Sequence, residues 1–360
     1  MLHVAIICKT FLRGGAEKQA LILTKLLKEN SINVCLINWY GNKVDPGNLK
    51  LIQNYSLKYF PLTGSYFGKL KRFREILREE NISIITSYLT LSNFVSGIIK
   101  IRNQEIICIG GIRNEKLPYY KFLIEIMVHN FCSDATVFNN YSAKEKFSKR
   151  GFDPQKIFVI QNAIELNNTL IRKGIRTNGE IRIITVGRFV KQKDYVTALN
   201  SFSALVHNNK DKNFTYYIVG YGPLKQKIRS MVKSLKVDQK VKVFINPPSI
   251  ADILNDCDIF LSTSLFEGVS NSIMEAMAVG LPVVATKVGD NGYLVKDGFN
   301  GYLVPCKDVK SIVEKLEYLS ESEDRRREFG RNSRTIIERD FSQTKFIDSY
   351  IRLFSRLLHS

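Results

Sequence analysis

The chain has 360 residues, too many for one hydrophobic core and suited to two domains of ordinary size. Its 44% hydrophobic residues, 22 glycines and 9 prolines exclude a collagen-like or disordered chain, and six scattered cysteines exclude a disulfide scaffold. Lys+Arg 53 against Asp+Glu 34 leaves a net charge of +19, which favours anionic partners without choosing among nucleic acid, lipid headgroups and a phosphorylated small substrate.

The first residues, MLHVAIICKTFLRGGAEK, have neither a basic leader region nor a small-residue cleavage site and read as a strand. After VAIIC (4–8) and a loop through Gly14 and Gly15, apolar residues recur every three or four positions, which predicts a helix over 16–29. Further strands are expected at 32–37, 82–86, 105–109, 135–138 and 156–160, with helices near 66–80, 90–100, 117–130 and 140–149. This alternation implies a mostly parallel sheet covered on both faces. Residues 1–165 are therefore read as an N-terminal Rossmann-like domain, and the Asn-, Gly- and charge-rich run 166–180 as a linker.

The same rhythm resumes in a second domain, 181–340. Strands are expected at 181–187, 214–220, 241–244, 258–263, 282–286 and 299–305, separated by helices near 193–207, 223–235, 249–255 and 271–279. Helices near 308–319 and 321–337 complete it. The basic amphipathic segment 341–360 has no further sheet to cover and is expected to pack back on the first domain. Two such domains imply a deep cleft between them, faced by strand C-termini and helix N-termini.

Chemistry concentrates after the strands of the second domain. Gly187 and Arg188 follow one strand, and Lys191 and Lys193 stand at a helix start, where cations make sense only opposite a bound anion. The run Gly220-Tyr221-Gly222-Pro223 lets backbone pass close to a ligand. Glu267 precedes the helix that begins near Ser270, whose first N–H groups, at Ser270, Asn271 and Ser272, form an anion site; Glu275 lies about one and a half turns further on. Two carboxylates so placed can grip two parts of one ligand, such as two sugars joined by a diphosphate.

In this order the motifs RGGAEK (13–18), VIQNAIE (159–165), VGRFVKQKD (186–194), VGYGPLK (219–225), FEGVSNSIMEAMAVGLPVVAT (266–286) and DGFNGYLVP (297–305) resemble glycosyltransferase family 4. These are retaining, nucleotide-sugar-dependent enzymes of GT-B architecture, and the Glu267 to Glu275 spacing is that family's E-x7-E signature. The resemblance implies that Arg188 and Lys193 hold the donor diphosphate, Glu267 the transferred sugar and Glu275 the ribose. Asn271 and Ser272 then meet the phosphates through their backbone, while Gly14 and Gly15 leave room for donor and acceptor. Arg188, Lys193 and Glu267 become the catalytic set, with front-face transfer assisted by the leaving phosphate. Both cations should matter more for turnover than for stability. No cofactor and no metal are expected, because basic side chains take the place of a divalent ion.

Two departures stand out. Many relatives carry a histidine where this chain reads GGIRN (110–114); Arg113 cannot act as a base but could bind an acceptor phosphate, its alternative being an ordinary surface arginine. Within VGDNGYLVKDG (288–298), Tyr293 stands where relatives often carry a glutamate, which bears on sugar recognition.

The expected partners are a nucleotide sugar, UDP-linked by preference, and a lipid-linked, lipopolysaccharide or capsule-type acceptor. The competing readings are a soluble enzyme glycosylating a small metabolite or sugar phosphate and, more remotely, a noncatalytic nucleotide-sugar or nucleic-acid-binding protein. No nucleic-acid-binding motif accompanies the charge. Cysteine usage and the lack of 18 uninterrupted apolar residues suggest a cytoplasmic protein. The stretch 67–81, with Phe67, Leu70, Phe73 and Leu77 on one stripe and Lys69, Lys71, Arg72, Arg74 and Arg78 around it, is the expected attachment to an anionic membrane at the cytoplasmic face of the inner membrane.

Overall fold

The computed structural model describes residues 2–113, 116–166 and 179–359. The chain divides into two compact units, one of Met1–Ala163 with Gln343–Ser360 and the other of Ile164–Ser342. The expected linker at 166–180 lies mostly outside the described residues.

Unit 1 alternates from its start: β1 (His3–Cys8), α1 (Gly15–Glu29), β2 (Asn33–Asn38), α2 (Pro46–Asn54), β3 (Lys58–Pro61), α3 (Tyr66–Glu79) and β4 (Ile84–Tyr88). It continues with α4 (Leu89–Arg102), β5 (Ile107–Ile112), α5 (Tyr119–Phe131), β6 (Ala135–Phe138), α6 (Tyr141–Ser148) and β7 (Ile157–Val159). The strands form one parallel sheet in the order β3-β2-β1-β4-β5-β6-β7. Val4, Ala5, Ile6 and Ile7 are all fully buried, as a continuous apolar strand must be when helices cover both faces.

Two elements of unit 1 escaped the sequence pattern. Helix α2 is begun by Asp45, whose carboxylate accepts from Gly47 N, and by Pro46 in the first turn, but it buries only Ile52 and so lacks an apolar period. Strand β3 is a four-residue edge with no buried position.

Unit 2 runs β8 (Ile181–Val186), α7 (Tyr195–Asn208), β9 (Phe214–Gly220), α8 (Lys225–Ser234), β10 (Val241–Ile245), α9 (Ile250–Asn255) and β11 (Ile259–Ser262). There follow α10 (Asn271–Ala278), β12 (Val283–Thr286), α11 (Asn291–Leu294), β13 (Gly301–Val304), α12 (Val309–Glu321) and α13 (Glu323–Asp340). Its parallel sheet has the order β10-β9-β8-β11-β12-β13. In both sheets the order reverses beside the first strand, between β1 and β4 and between β8 and β11. That reversal opens a crevice at the strand C-termini, where doubly wound sheets take their ligands.

The last helix, α14 (Gln343–Leu358), belongs to unit 1. Its stripe of Phe346, Ile347, Tyr350, Leu353 and Phe354 is buried in the same core as Ala20, Leu23 and Leu27 of α1. Burial of each such large side chain is worth on the order of 1.5–3 kcal/mol. The chain enters and leaves unit 2 at neighbouring points, Ile164 N donating to Phe341 O at 3.0 Å.

Candidate active site

At the β8 end of the unit 2 crevice, the chain leaves the sheet at Gly187 and Arg188, makes a 3-10 turn over Lys191–Lys193, and enters α7 through Asp194. Asp194 has a left-handed backbone, φ 44°, and its carboxylate caps the helix by accepting from Thr197 N at 3.4 Å, while its other oxygen accepts from Thr197 Oγ1 at 2.6 Å. The two lysines therefore stand before the helix cap, not within its first turn. Tyr195 donates to Gly187 O at 2.8 Å, and the stem of Lys193 crosses Gly187 so closely that a Cβ there would lie 3.0 Å from Lys193 Cε. Glycine at 187 is what lets the lysine lie flat against the strand end.

Strand β11 delivers the opposite charge. Lys193 Nζ meets Glu267 Oε1 at 2.5 Å, and Ser264 Oγ donates to the same oxygen at 2.7 Å. Gln192 Nε2 donates to Phe266 O at 2.7 Å, while Leu265 N donates back to Gln192 O at 2.8 Å. Thr263 Oγ1 reaches Lys193 O at 2.9 Å. The two loops are thus stitched together, and Glu267 is 8% exposed with its negative charge matched by one lysine. Such a pair is fixed before any ligand arrives. Arg188 differs: it is exposed and forms no ion pair among the described residues. It is a cation on the rim of a site whose inner cation is already engaged.

Helix α10 starts at Asn271 with Ser270 as its cap residue, yet Ser270 makes no side-chain cap bond; its hydroxyl lies 3.2 Å from Ser272 Oγ. The first-turn N–H groups are left uncapped by that side chain, and the helix dipole adds positive potential there. Glu275, half-buried, lies in the following turn. Gly289, at φ +50°, brings its loop against the Glu267 segment, with Asp290 N donating to Gly268 O at 3.1 Å. Tyr293 is 47% exposed, beneath the Lys296 ammonium at 5.6 Å from its ring centroid.

Unit 1 supplies a separate set at its own strand ends. Gly14 is the cap position of α1, with no side-chain cap; a Cβ there would meet Glu17 Oε2 at 2.1 Å, so the bare residue admits a carboxylate over the helix N-terminus. Gly15 opens the helix. Arg113, just past β5, is buried and so is not the surface arginine the sequence left open. Its Nη2 donates to Tyr350 OH at 3.1 Å, Nη1 to Asn162 Oδ1 at 3.5 Å, and its guanidinium lies 4.5 Å from the Tyr88 ring centroid. Its Nε is buried with no partner among the described residues. A buried cation held by hydroxyl, amide and ring carries a net charge into this crevice.

The sequence missed the supports. Gln192 lies within the motif 186–194 and Ser264 just before the run 266–286, so both could have been suspected from position, whereas nothing local marked Tyr350 or Glu125. Glu125, 3% exposed, accepts from Asn93 Nδ2 at 3.1 and 2.9 Å, and Asn93 Oδ1 accepts from Gly111 N at 3.0 Å near the start of the Arg113 loop. Burial raises this carboxyl to about 7 against the lowering effect of the Asn93 and Thr90 hydrogen bonds and Lys121. The folded chain therefore holds a proton that the unfolded chain releases, and stability falls as pH rises from the ordinary carboxylate range to about 7. Glu125→Gln should remove this slope and raise stability at neutral pH by on the order of 1–3 kcal/mol. Urea unfolding of both proteins at mildly acidic and neutral pH checks it; parallel pH profiles would refute it.

No cluster of His, Cys, Asp or Glu able to hold a metal ion occurs among the described residues. His129 is a core residue, 2.7 Å from Thr136 Oγ1, and no helix among the described residues is long and apolar enough to cross a membrane. Four cysteines, Cys8, Cys35, Cys108 and Cys257, are buried thiols, while Cys306 is exposed.

Residues 167–336 match the family model described as glycosyl transferases group 1. An Escherichia coli UDP-Gal:alpha-D-GlcNAc-diphosphoundecaprenol alpha-1,3-galactosyltransferase is 28% identical over 46% of this chain and 45% of its own length. The chain spans about half the length of the first curated relatives it matches. A Campylobacter jejuni GalNAc-alpha-(1->4)-GalNAc-alpha-(1->3)-diNAcBac-PP-undecaprenol alpha-1,4-N-acetyl-D-galactosaminyltransferase is 23% identical over 99% of both chains. Among solved structures, Anabaena Alr3699/HepE in complex with UDP and glucose superposes with a TM-score of 0.86 at 15% identity, covering 99% of this chain and all of that one.

Proposed function

We propose, for a chain whose residues 167–336 match the glycosyl transferases group 1 family model and whose two doubly wound units have the GT-B fold, that it transfers a sugar from a UDP-sugar to a lipid-linked or polysaccharide-type acceptor with retention of anomeric configuration. The observation that carries this reading is the Lys193–Glu267 pair between the β8 and β11 ends, with Arg188 exposed and in no ion pair among the described residues, and the α10 N-terminus nearby in the chain. A UDP and glucose complex of a protein of the same fold supports the donor class. The diphosphoundecaprenol acceptors named for the two bacterial relatives support the acceptor class.

Departure of a nucleoside diphosphate builds negative charge on phosphate oxygens as the sugar becomes cation-like. Fixed positive groups beside those oxygens stabilise this transition state more than the ground state. Arg188, Lys193 and the first N–H groups of α10 take that part. Glu267 is held by Lys193 and Ser264 with one face for the sugar hydroxyls, and Glu275 takes the ribose. The leaving phosphate accepts the proton of the incoming hydroxyl. Arg113, positive and without a carboxylate partner among the described residues, takes a phosphate of the acceptor. No metal enters this scheme.

The reading is tested at the nucleotide. Glu275→Gln keeps the shape but loses the charge of a carboxylate gripping two hydroxyls, so UDP affinity should fall by about 1–3 kcal/mol. Titration calorimetry with UDP measures it, and an unchanged affinity removes Glu275 from the ribose.

A further inference from the structure

On the C-terminal edge of the first sheet, away from Gly14 and Arg113, the ends of β1, β2 and β3 are tied into one surface. Trp39 N donates to Cys8 O and Tyr40 N to Lys9 O, both at 3.0 Å. Gly41 N donates to Leu62 O at 2.9 Å, and a Cβ at Gly41 would lie 2.7 Å from Pro61 Cβ, so the β2 and β3 ends meet without slack. Helix α3 starts on this surface, capped by Ser65 Oγ, which accepts from Gly68 N at 3.1 Å.

Three ammonium groups converge there on one ring. Lys69 Nζ lies 4.4 Å, Lys43 Nζ 5.3 Å and Lys9 Nζ 5.9 Å from the Tyr40 ring centroid. None of the three side chains forms an ion pair or a hydrogen bond among the described residues. The loops after β1, β2 and β3 and the first turn of α3 hold one acid, Asp45, and Arg13 Nε engages it at 3.0 Å.

The sequence groups Lys69 with the cations of a membrane-facing helix. That expectation is corrected: Lys69 is 6% exposed, and Arg72 is paired with Glu75 and Glu79. The Lys69 ammonium is surrounded by the rings of Trp39, Tyr40 and Tyr66, at 5.6, 4.4 and 5.9 Å. It also belongs to the first four residues of α3, the positive end of the helix dipole. Aromatic faces offset the burial of one cation. They do not account for two more over the same ring, because like charges in a partly dry place repel. A shared anion removes that conflict.

The rings indicate what carries the anion. Tyr66 is 56% exposed and its hydroxyl lies 2.8 Å from Tyr40 OH, so two phenols present an apolar face edged by hydrogen-bonding oxygens. A sugar ring has the matching character, with C–H groups on its faces and hydroxyls around its rim. We propose that this surface is a subsite for an acidic saccharide unit of the acceptor, with Lys9, Lys43 and Lys69 on its carboxylate or phosphate and Tyr66 against its ring. The inference rests on the glycosyl-transfer reading above and adds a substrate class to it, a charged saccharide distinct from the phosphate assigned to Arg113. Strands β2 and β5 stand three spacings apart, roughly 14 Å, along this edge, so one extended acceptor can meet both places.

The test is ligand-observed NMR titration of the full chain, with UDP saturating and its own binding recorded, using methyl glucuronide, glucose 6-phosphate and neutral methyl glucoside. The wild type should bind at least one acidic sugar about tenfold more tightly than methyl glucoside. K9Q/K43Q should lower that affinity about fivefold, and the sugar that loses it identifies carboxylate or phosphate as the group bound. K227Q/K233Q, the same change of charge on exposed lysines of α8, should leave it unchanged. Y66A should weaken the same sugar at least about threefold. A wild type without preference for acidic sugars, or equal losses in the two lysine variants, would overturn the proposal. So would full affinity in Y66A, since the lysines would then hold an anion without a saccharide. A wild type that binds no UDP yet selects an acidic sugar would overturn the donor assignment and leave this subsite standing; UDP binding without that selection does the reverse.

Discussion

Arg188→Ala is expected to lower donor turnover by about 10²–10³-fold, the scale for removing one preorganised group that stabilises developing charge. It should leave the melting temperature within about 2 °C of the wild type, because the side chain is exposed and makes no ion pair among the described residues. Lys193→Ala should lose turnover to a similar degree and stability as well. Its removal leaves the Glu267 carboxylate, 8% exposed, without the one cation that pairs with it among the described residues, at a cost on the order of 1–3 kcal/mol. The sequence treats the two cations alike; the structure separates them. K193A/E267Q should regain part of that stability and none of the turnover. Melting curves and turnover of a UDP-sugar measured on all three variants decide the matter. Near-normal turnover in R188A, or equal stability of R188A and K193A, would break the assignment.

A second large effect is expected at Gly220, where β9 passes the start of the Arg188 loop. Its φ is +156°, and a Cβ there would lie 1.9 Å from Gly187 O and 3.0 Å from the Phe189 ring. Gly220→Ala must therefore push the Gly187–Phe189 backbone off the sheet, and with it both cations. Overpacking of this kind costs about 1–3 kcal/mol, and UDP affinity should fall at least about tenfold. Gly298→Ala is the control: its φ of +72° is also unfavourable, but nothing lies within 4 Å of the added carbon. It should cost stability through backbone strain alone and leave UDP affinity unchanged. Equal UDP affinity in the two variants would show that the β9 turn does not set the site.

The parallel core and the site motifs were legible because both are written locally. Apolar strands such as β1 are buried on both faces, and the charged residues after β8 and β11 sit where strand ends meet helix starts. Elements that owe their existence to neighbours were not legible. Strand β3 has no buried residue of its own and exists by pairing with β2, Cys35 opposite Lys58. The amphipathic reading of α3 found its apolar stripe correctly in Phe73 and Leu77, yet its ring of cations could not reveal which were committed. Lys69 is taken by aromatic rings from the β2 end and Arg72 by carboxylates on its own helix. Arg113 looked like a loop residue because its cover, Tyr350, comes 237 positions later.

That long separation has a consequence for biosynthesis. The ribosome finishes every strand of unit 1 before it begins unit 2, but the helix that closes the α1 side of unit 1, α14, emerges only after Ser342. Until then Leu23, Leu27 and their neighbours on α1 lack the cover of Phe346, Ile347, Tyr350, Leu353 and Phe354. Unit 2, continuous in the chain, can complete its core first, although it is made second. The nascent N-terminal half must wait with an open apolar seam, the kind of surface that holdase chaperones bind.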